Sequence, residues 1–256
     1  KSMKSFFSKK SILGTMAVAA VCMLGTSNAQ AQEFTIQGDL VSSYVWRGIY
    51  QGGAASFQPT LGFSVGNFSL TAWGSTSLSE SNKEIDLTAA YKFGEAGPTL
   101  SVATLWWDGQ ADVANGELTN NYFHFKSGDT GHHFEAGLAY TLPIEKFPLS
   151  IAWYTMFAGA DRKTTDGGEE KQAYSSYVEL NYPFSVKGVD LNATCGVVPY
   201  KTPQYNVNGF AVTNLALKAT KVINFNDKFS LPIFVQAIWN PRLEDAHLVF
   251  GVTLRP

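Results

Sequence analysis

The chain has 256 residues and a formal net charge of −2, and only 16% of its residues are charged against 14% aromatic. Few charges and many rings (18 Phe, 11 Tyr, 6 Trp) argue against a surface that faces water all round. The length fits one barrel or one to two soluble domains, and the lack of a basic surplus excludes a general nucleic-acid binder.

Residues 1–31 read as a cleavable signal peptide. Lys1, Lys4, Lys9 and Lys10 precede an apolar stretch at 12–24, and Ala29-Gln30-Ala31 is a small-x-small cleavage site ahead of Gln32. The stretch is short of the roughly 20 apolar residues that a spanning helix needs. Val21 before Cys22 does not fit a lipoprotein site, so no lipid anchor is expected. Removing 1–31 leaves one domain, 32–256, with 15 basic and 21 acidic residues, a charge of −6. Cys195 is then the remaining cysteine, which excludes an intramolecular disulfide. No later segment has 18 continuous apolar residues, so a membrane role must be carried by strands.

Alternation with a period of two dominates from residue 34 onward. Phe34, Ile36, Leu40, Tyr44 and Trp46 share one face of the first segment, and Thr35, Gln37, Asp39, Ser43 and Arg47 the other. Ile85, Leu87, Ala89, Tyr91 and Phe93 alternate with Glu84, Asp86, Thr88 and Lys92. The pattern predicts twelve strands, at 34–47, 57–66, 68–77, 83–93, 98–107, 131–142, 148–158, 172–184, 188–198, 211–223, 228–239 and 246–255. Residues 122–125 are placed in a loop, because the connections then alternate long and short to the end. Short periplasmic turns and longer outer loops are characteristic of transmembrane barrels, and an even count puts both termini on the periplasmic side. The expected fold is an all-β, up-and-down antiparallel transmembrane β-barrel, closed by pairing the first strand with the last, since an open edge in lipid leaves backbone groups unsatisfied.

The aromatic residues predict two girdles. Trp46, Trp106, Trp107 and Trp239 fall at the outer ends of odd strands, and Tyr91, Tyr140 and Tyr182 at the inner ends of even ones. The polar faces collect Asp39, Glu84, Asp86, Glu135, Glu179 and Asp190 with Arg47, Lys92 and Lys218. Charges on the lipid side cost about 2–4 kcal/mol each for Arg or Lys at the midplane, so these nine are expected to line the lumen. They make either a charged constriction that sets ion selectivity or a salt-bridged filling. Arg47, beside Gly48, is expected to pair with Glu84 or Asp86, or alternatively to meet an anionic ligand.

At Tyr44-Val45-Trp46-Arg47-Gly48-Ile49-Tyr50-Gln51 the chain resembles the TorF family of porins, conserved hypothetical outer-membrane proteins. Trp73-Gly74-Ser75, Glu84-Ile85-Asp86 and the stretch from Gly131 through Tyr140 to Phe157-Ala158-Gly159 share that likeness. Tyr50, where a small polar residue is common, and the Leu254-Arg255-Pro256 end, where a terminal Phe is typical, depart from it. The resemblance implies a barrel with a pore role and names no substrate.

The residues and the resemblance together point to a passive outer-membrane pore for small solutes or ions. A non-conducting barrel that binds a ligand or partner through its outer loops is the alternative. The 108–130 loop suits either a constriction or a binding loop. Expected partners are the lipid bilayer, the barrel-assembly machinery and periplasmic chaperones during biogenesis, and the permeating solutes, with no nucleic acid. No cofactor is expected. His124, His132 and His133 gather near Asp129, but adjacent strand residues point to opposite faces, so no metal site is expected. No enzymatic activity is expected either: there is no Gly-x-Ser-x-Gly motif, and His247 is predicted to face inward near the outer rim.

Overall fold

The computed structural model describes residues 32–52, 54–107, 113–114, 117–118, 121–126, 130–226 and 229–256. Segment 1–31, expected to be a signal peptide, and Asp129 lie outside them. Twelve strands close into one antiparallel barrel. They are β1 (Gln32–Val41), β2 (Ser56–Val65), β3 (Phe68–Ser77), β4 (Lys83–Lys92), β5 (Thr99–Trp107), β6 (His132–Thr141), β7 (Ser150–Gly159), β8 (Ser176–Val186), β9 (Val189–Val198), β10 (Ala211–Asn226), β11 (Phe229–Asn240) and β12 (Asp245–Leu254). Each pairs with its neighbour in sequence, and β1 meets β12 through Gly38↔Leu254, Asp39↔Thr253, Leu40↔Val252 and Val41↔Gly251. Closure gives every barrel strand a neighbour on both sides, with the first strand meeting the last over residues 38–41.

The expected count and hairpin order are present, and 122–125 lies in a loop; long and short connections alternate except at 78–82, which is shorter than the 93–98 turn after it. The first strand begins and the last strand ends at the end with the short turns. The first strand differs: it ends at Val41, not at residue 47, and a separate small hairpin, Tyr44–Trp46 with Ile49–Gly52, follows it.

Outward positions are apolar along the wall. Leu61, Leu70, Leu87, Val102, Leu138, Leu217, Leu248 and Phe250 are all exposed. A continuous apolar exterior of this extent far exceeds the patches of a few hundred Å² that water-soluble monomers tolerate. Inward positions change along the bore. Toward the turn end Thr35, Thr60, Thr71, Ser101, Asn192 and Thr253 remain partly exposed, whereas toward the loop end Asp39, Gln58, Glu84, Leu105, Met156, Tyr177 and Gln236 are buried. The bore is accessible in one half and packed in the other.

Candidate functional site: a closed mouth at the loop end

The packing is made by the chain that leaves β1. The small hairpin turns at Arg47 (φ 50) and Gly48 (φ 83). Two central residues with positive φ make the tight reversal that a two-residue hairpin requires, and glycine supplies one of them without strain. A Cβ on Gly48 would sit 1.9 Å from the Thr213 carbonyl oxygen, so the turn is pressed against the wall at β10. Asn240 Nδ2 donates to Gly48 O at 3.0 Å and fixes the other side of the turn. The hairpin therefore reaches across the bore.

Arg47 is its tip. Its guanidinium makes two bonds to Glu135 on β6, at 2.7 and 2.8 Å, and Nη1 also donates to Tyr205 Oη at 2.6 Å. Trp46, Tyr154 and Tyr177 present ring faces to it at 4.7–4.8 Å. Burial works against the Arg47 charge, but Glu135 and Tyr205 more than offset it and hold the group above its ordinary range. The fork geometry matches the carboxylate, and the rings satisfy the faces of the guanidinium that no hydrogen bond reaches.

Tyr205 comes from the 199–210 loop, which folds inward from the far side. Trp46 and Tyr177 both stack on it. Burial pushes its phenol up, against the lowering effect of Arg47. Asp161 ties a third loop in by accepting from Ser175 N at 2.8 Å and from Ser175 Oγ at 2.5 Å, and Ser175 Oγ also contacts Thr202 Oγ1. Below this plate Tyr177 Oη donates to Glu179, Asn214 Nδ2 donates to Tyr177 Oη, and Asn181 donates to the other Glu179 oxygen at 2.6 Å. Tyr177 lies flat over Gly196, where a Cβ would meet its oxygen at 2.0 Å. The mouth is thus shut by rings around one guanidinium.

The nine inward candidates divide. Arg47 and Glu135 form the plate, and Glu179 lies just below it, bonded to Tyr177 and Asn181. Arg47 pairs with Glu135 and not with Glu84 or Asp86, because the hairpin carries it past β4 to the opposite wall. Glu84 and Asp86 are buried on β4 with unbonded oxygens. Lys218 lies with its Nζ 3.8 Å from the Phe234 ring centroid and feels the charge of Asp39. Lys92 and Asp190 face the accessible half near the turns, where Ser185 Oγ donates to Asp190 at 2.6 Å.

The girdle divides too. Trp239 (51% exposed) and Tyr91 lie on the exterior, and Tyr140 and Tyr182 face outward half-buried. Trp46 and Trp107 do not belong to a girdle. Both are buried inside the bore and meet edge to face at 5.4 Å, because the early end of β1 places Trp46 on the inserted hairpin and the phase of β5 turns Trp107 inward. Trp106 faces outward but is covered by Tyr122, which comes from a loop folded over the barrel exterior. His132 lies under the same cover, stacked on Phe125, with Nε2 donating to Tyr122 O at 2.5 Å. His133 points inward against Trp107, as adjacent strand positions require.

Tyr205, Tyr154, Tyr177 and Asn214 were not legible as site residues. Nothing in the 199–210 segment sets Tyr205 apart. The one available signal is Arg47-Gly48, a turn dipeptide flanked by aromatics where a strand end was expected.

No family model and no curated protein matches the chain. Among solved structures, CdiB from Acinetobacter baumannii is similar over 88% of this chain at 11% identity and a TM-score of 0.36, and the chain spans 60% of that protein's length. A bacterial polysaccharide outer membrane secretin is similar over 90% of this chain and all of its own, again at 11% identity and a TM-score of 0.36. The fold assignment therefore stands on the strand pairing itself: the chain is a closed, twelve-stranded antiparallel β-barrel with an apolar exterior.

Proposed function

We propose that the chain is an outer-membrane channel for small solutes or ions whose loop-end mouth is shut at rest by the 44–52 hairpin. The observation that carries this reading is the change along the bore. A polar half with partly exposed Thr, Ser and Asn side chains ends abruptly at a plate centred on Arg47. A barrel kept only as a membrane anchor has no use for a hydrated half-bore, and side chains alone can fill a narrow barrel. The apolar wall fits a bilayer, since barrels and helices are the structures that satisfy every backbone group in lipid. The likeness to TorF-family porins agrees with this reading. Export through the signal peptide, folding by the barrel-assembly machinery with periplasmic chaperones, and loops facing outward complete the proposal.

Planar-bilayer recording tests it. The full chain should give rare, small current steps, and a variant with 44–52 replaced by a short Gly-Ser linker should give frequent, larger ones. A folded, heat-modifiable barrel that is silent in both forms would refute the channel. A non-conducting barrel that binds through its outer loops is then the better reading. The exposed Phe123 and Phe125 of the loop lying on the barrel exterior favour that second reading.

A further inference from the structure

We infer that the cavity between the inserted hairpin and the β3–β5 wall is a binding site for a small organic cation of the alkylammonium class. The cavity, about 90 Å³, is lined among others by Tyr44, Gln51, Ser75, Asn82, Glu84 and Trp107. A water's share of liquid is about 30 Å³, so the space suits a group the size of a methylated ammonium.

Glu84 and Asp86 stand two residues apart on the inward face of β4, 2% and 6% exposed. Both Glu84 oxygens, Asp86 Oδ1 and Trp107 Nε1 have no hydrogen-bond partner among the described residues. Tyr44, Trp107 and Asp86 stand beside the Glu84 carboxylate as its available hydrogen-bonding neighbours. A buried carboxylate without hydrogen bonds or a cation is strongly disfavoured. The nearby cations are placed elsewhere: Arg47 spends its fork on Glu135, and Lys83, which borders the cavity beside Glu84, leaves the strand on its opposite, exposed side. An ionised Glu84 therefore calls for a cation.

The walls say which kind. Tyr44 and Trp107 line the cavity, and Trp73 stands behind Tyr44 at 5.5 Å. Aromatic faces attract weakly hydrated cations such as quaternary ammonium groups. A divalent metal needs several oxygens in a close shell, and no group of three or more metal-binding side chains is assembled among the described residues. One acidic wall facing aromatic ones fits an ammonium carrying methyl groups.

Taking this ligand as a solute that passes the mouth rests on the channel reading; the binding itself does not. Tryptophan fluorescence of the folded protein in detergent, titrated with tetramethylammonium chloride and with potassium chloride as control, tests the site. A saturable response to tetramethylammonium alone is expected, weakened at least tenfold in Glu84→Gln and several-fold in Asp86→Asn. An equal response to potassium, no saturation, or unchanged binding in folded Glu84→Gln would overturn it. Should Glu84→Gln fail to fold, the wild-type comparison of the two salts and Asp86→Asn decide. Conductance without binding would sink this site alone, and binding without conductance would sink the channel alone.

Discussion

Trp46 lies face to face on Tyr205, with ring centroids 5.5 Å apart and planes 6° from parallel. The two residues are far apart in sequence and belong to different loops, so the stack fastens the first connection of the barrel to the 199–210 segment. Tyr205 Oη, on the same ring, accepts a hydrogen bond from Arg47. Stacking and hydrogen bonding can be separated. Tyr205→Phe keeps the ring and should loosen the mouth by about 1.5–3 kcal/mol, the range for a bond to a charged group. Tyr205→Ala should loosen it further. Open probability in bilayers should rank Ala above Phe above wild type; equal effects would show that the ring contributes nothing.

Arg47→Ala strands Glu135 in a buried site. Breaking one side of such a pair costs about 3–5 kcal/mol. The hairpin should detach and become cleavable by added protease, while the heat-modifiable barrel band persists. Arg47→Lys restores charge but neither the fork nor the stacking, so its protection should lie between the two. Full protection in Arg47→Ala would mean that ring packing alone shuts the mouth.

Gly48→Ala should open the mouth more than Arg47→Lys does. The turn needs φ 83, and the added methyl would meet the Thr213 carbonyl. The left-handed conformation alone costs a residue with a Cβ roughly 1–2 kcal/mol, and relief of the clash breaks the Asn240 bond to Gly48 as well. Bilayer recording reads the result, and wild-type-like closure would contradict the hairpin geometry.

Alkaline pH should open the mouth. Burial raises the Tyr205 phenol, and burial together with Glu84 and Asp86 raises that of Tyr44. A phenol raised in the folded state binds its proton more tightly there than when released. Its contribution is whole below the free value of about 10 and declines as pH climbs beyond it. These two groups predict a steady open probability from pH 6 to 9 and a rise above about pH 10, smaller in Tyr205→Phe. Recording across that range, with phenolate absorbance followed in parallel, checks the sign. An opening centred on neutral pH would assign control to other groups.

Leu87→Arg and Thr71→Arg should part company. Leu87 is exposed on the apolar exterior and Thr71 faces the accessible half-bore. The first should cost about 2–4 kcal/mol of folding stability in bilayers, and the second little. Equal costs would contradict the inside–outside assignment.

The barrel was legible because its signal is redundant. Each strand repeats the same two-residue period, so an error at one end leaves the register of the others intact. Leu87 and Glu84 face the sides that alternation assigned to them. The mouth was not legible for the opposite reason. Alternation continues through Tyr44 and Trp46, and a period of two looks the same in a wall strand and in a small hairpin folded into the bore. Only the break at Ser42 and Ser43 and the turn at Arg47 and Gly48 separate them. For the same reason aromatic content near the rim could not tell Trp239, which faces out, from Trp46 and Trp107, which face in. The partner of Arg47 depended on how far the hairpin reaches, which no local pattern encodes.

Under the channel reading, the half-accessible bore also shapes any electric field applied across the barrel. An electrolyte-filled stretch conducts, so little voltage falls along it. Nearly the whole drop would then fall across the buried layer around Arg47 and Glu135. A unit charge moved through that layer gains about 2.3 kcal/mol per 100 mV, whereas Lys92, bathed on the other side, feels almost none of it.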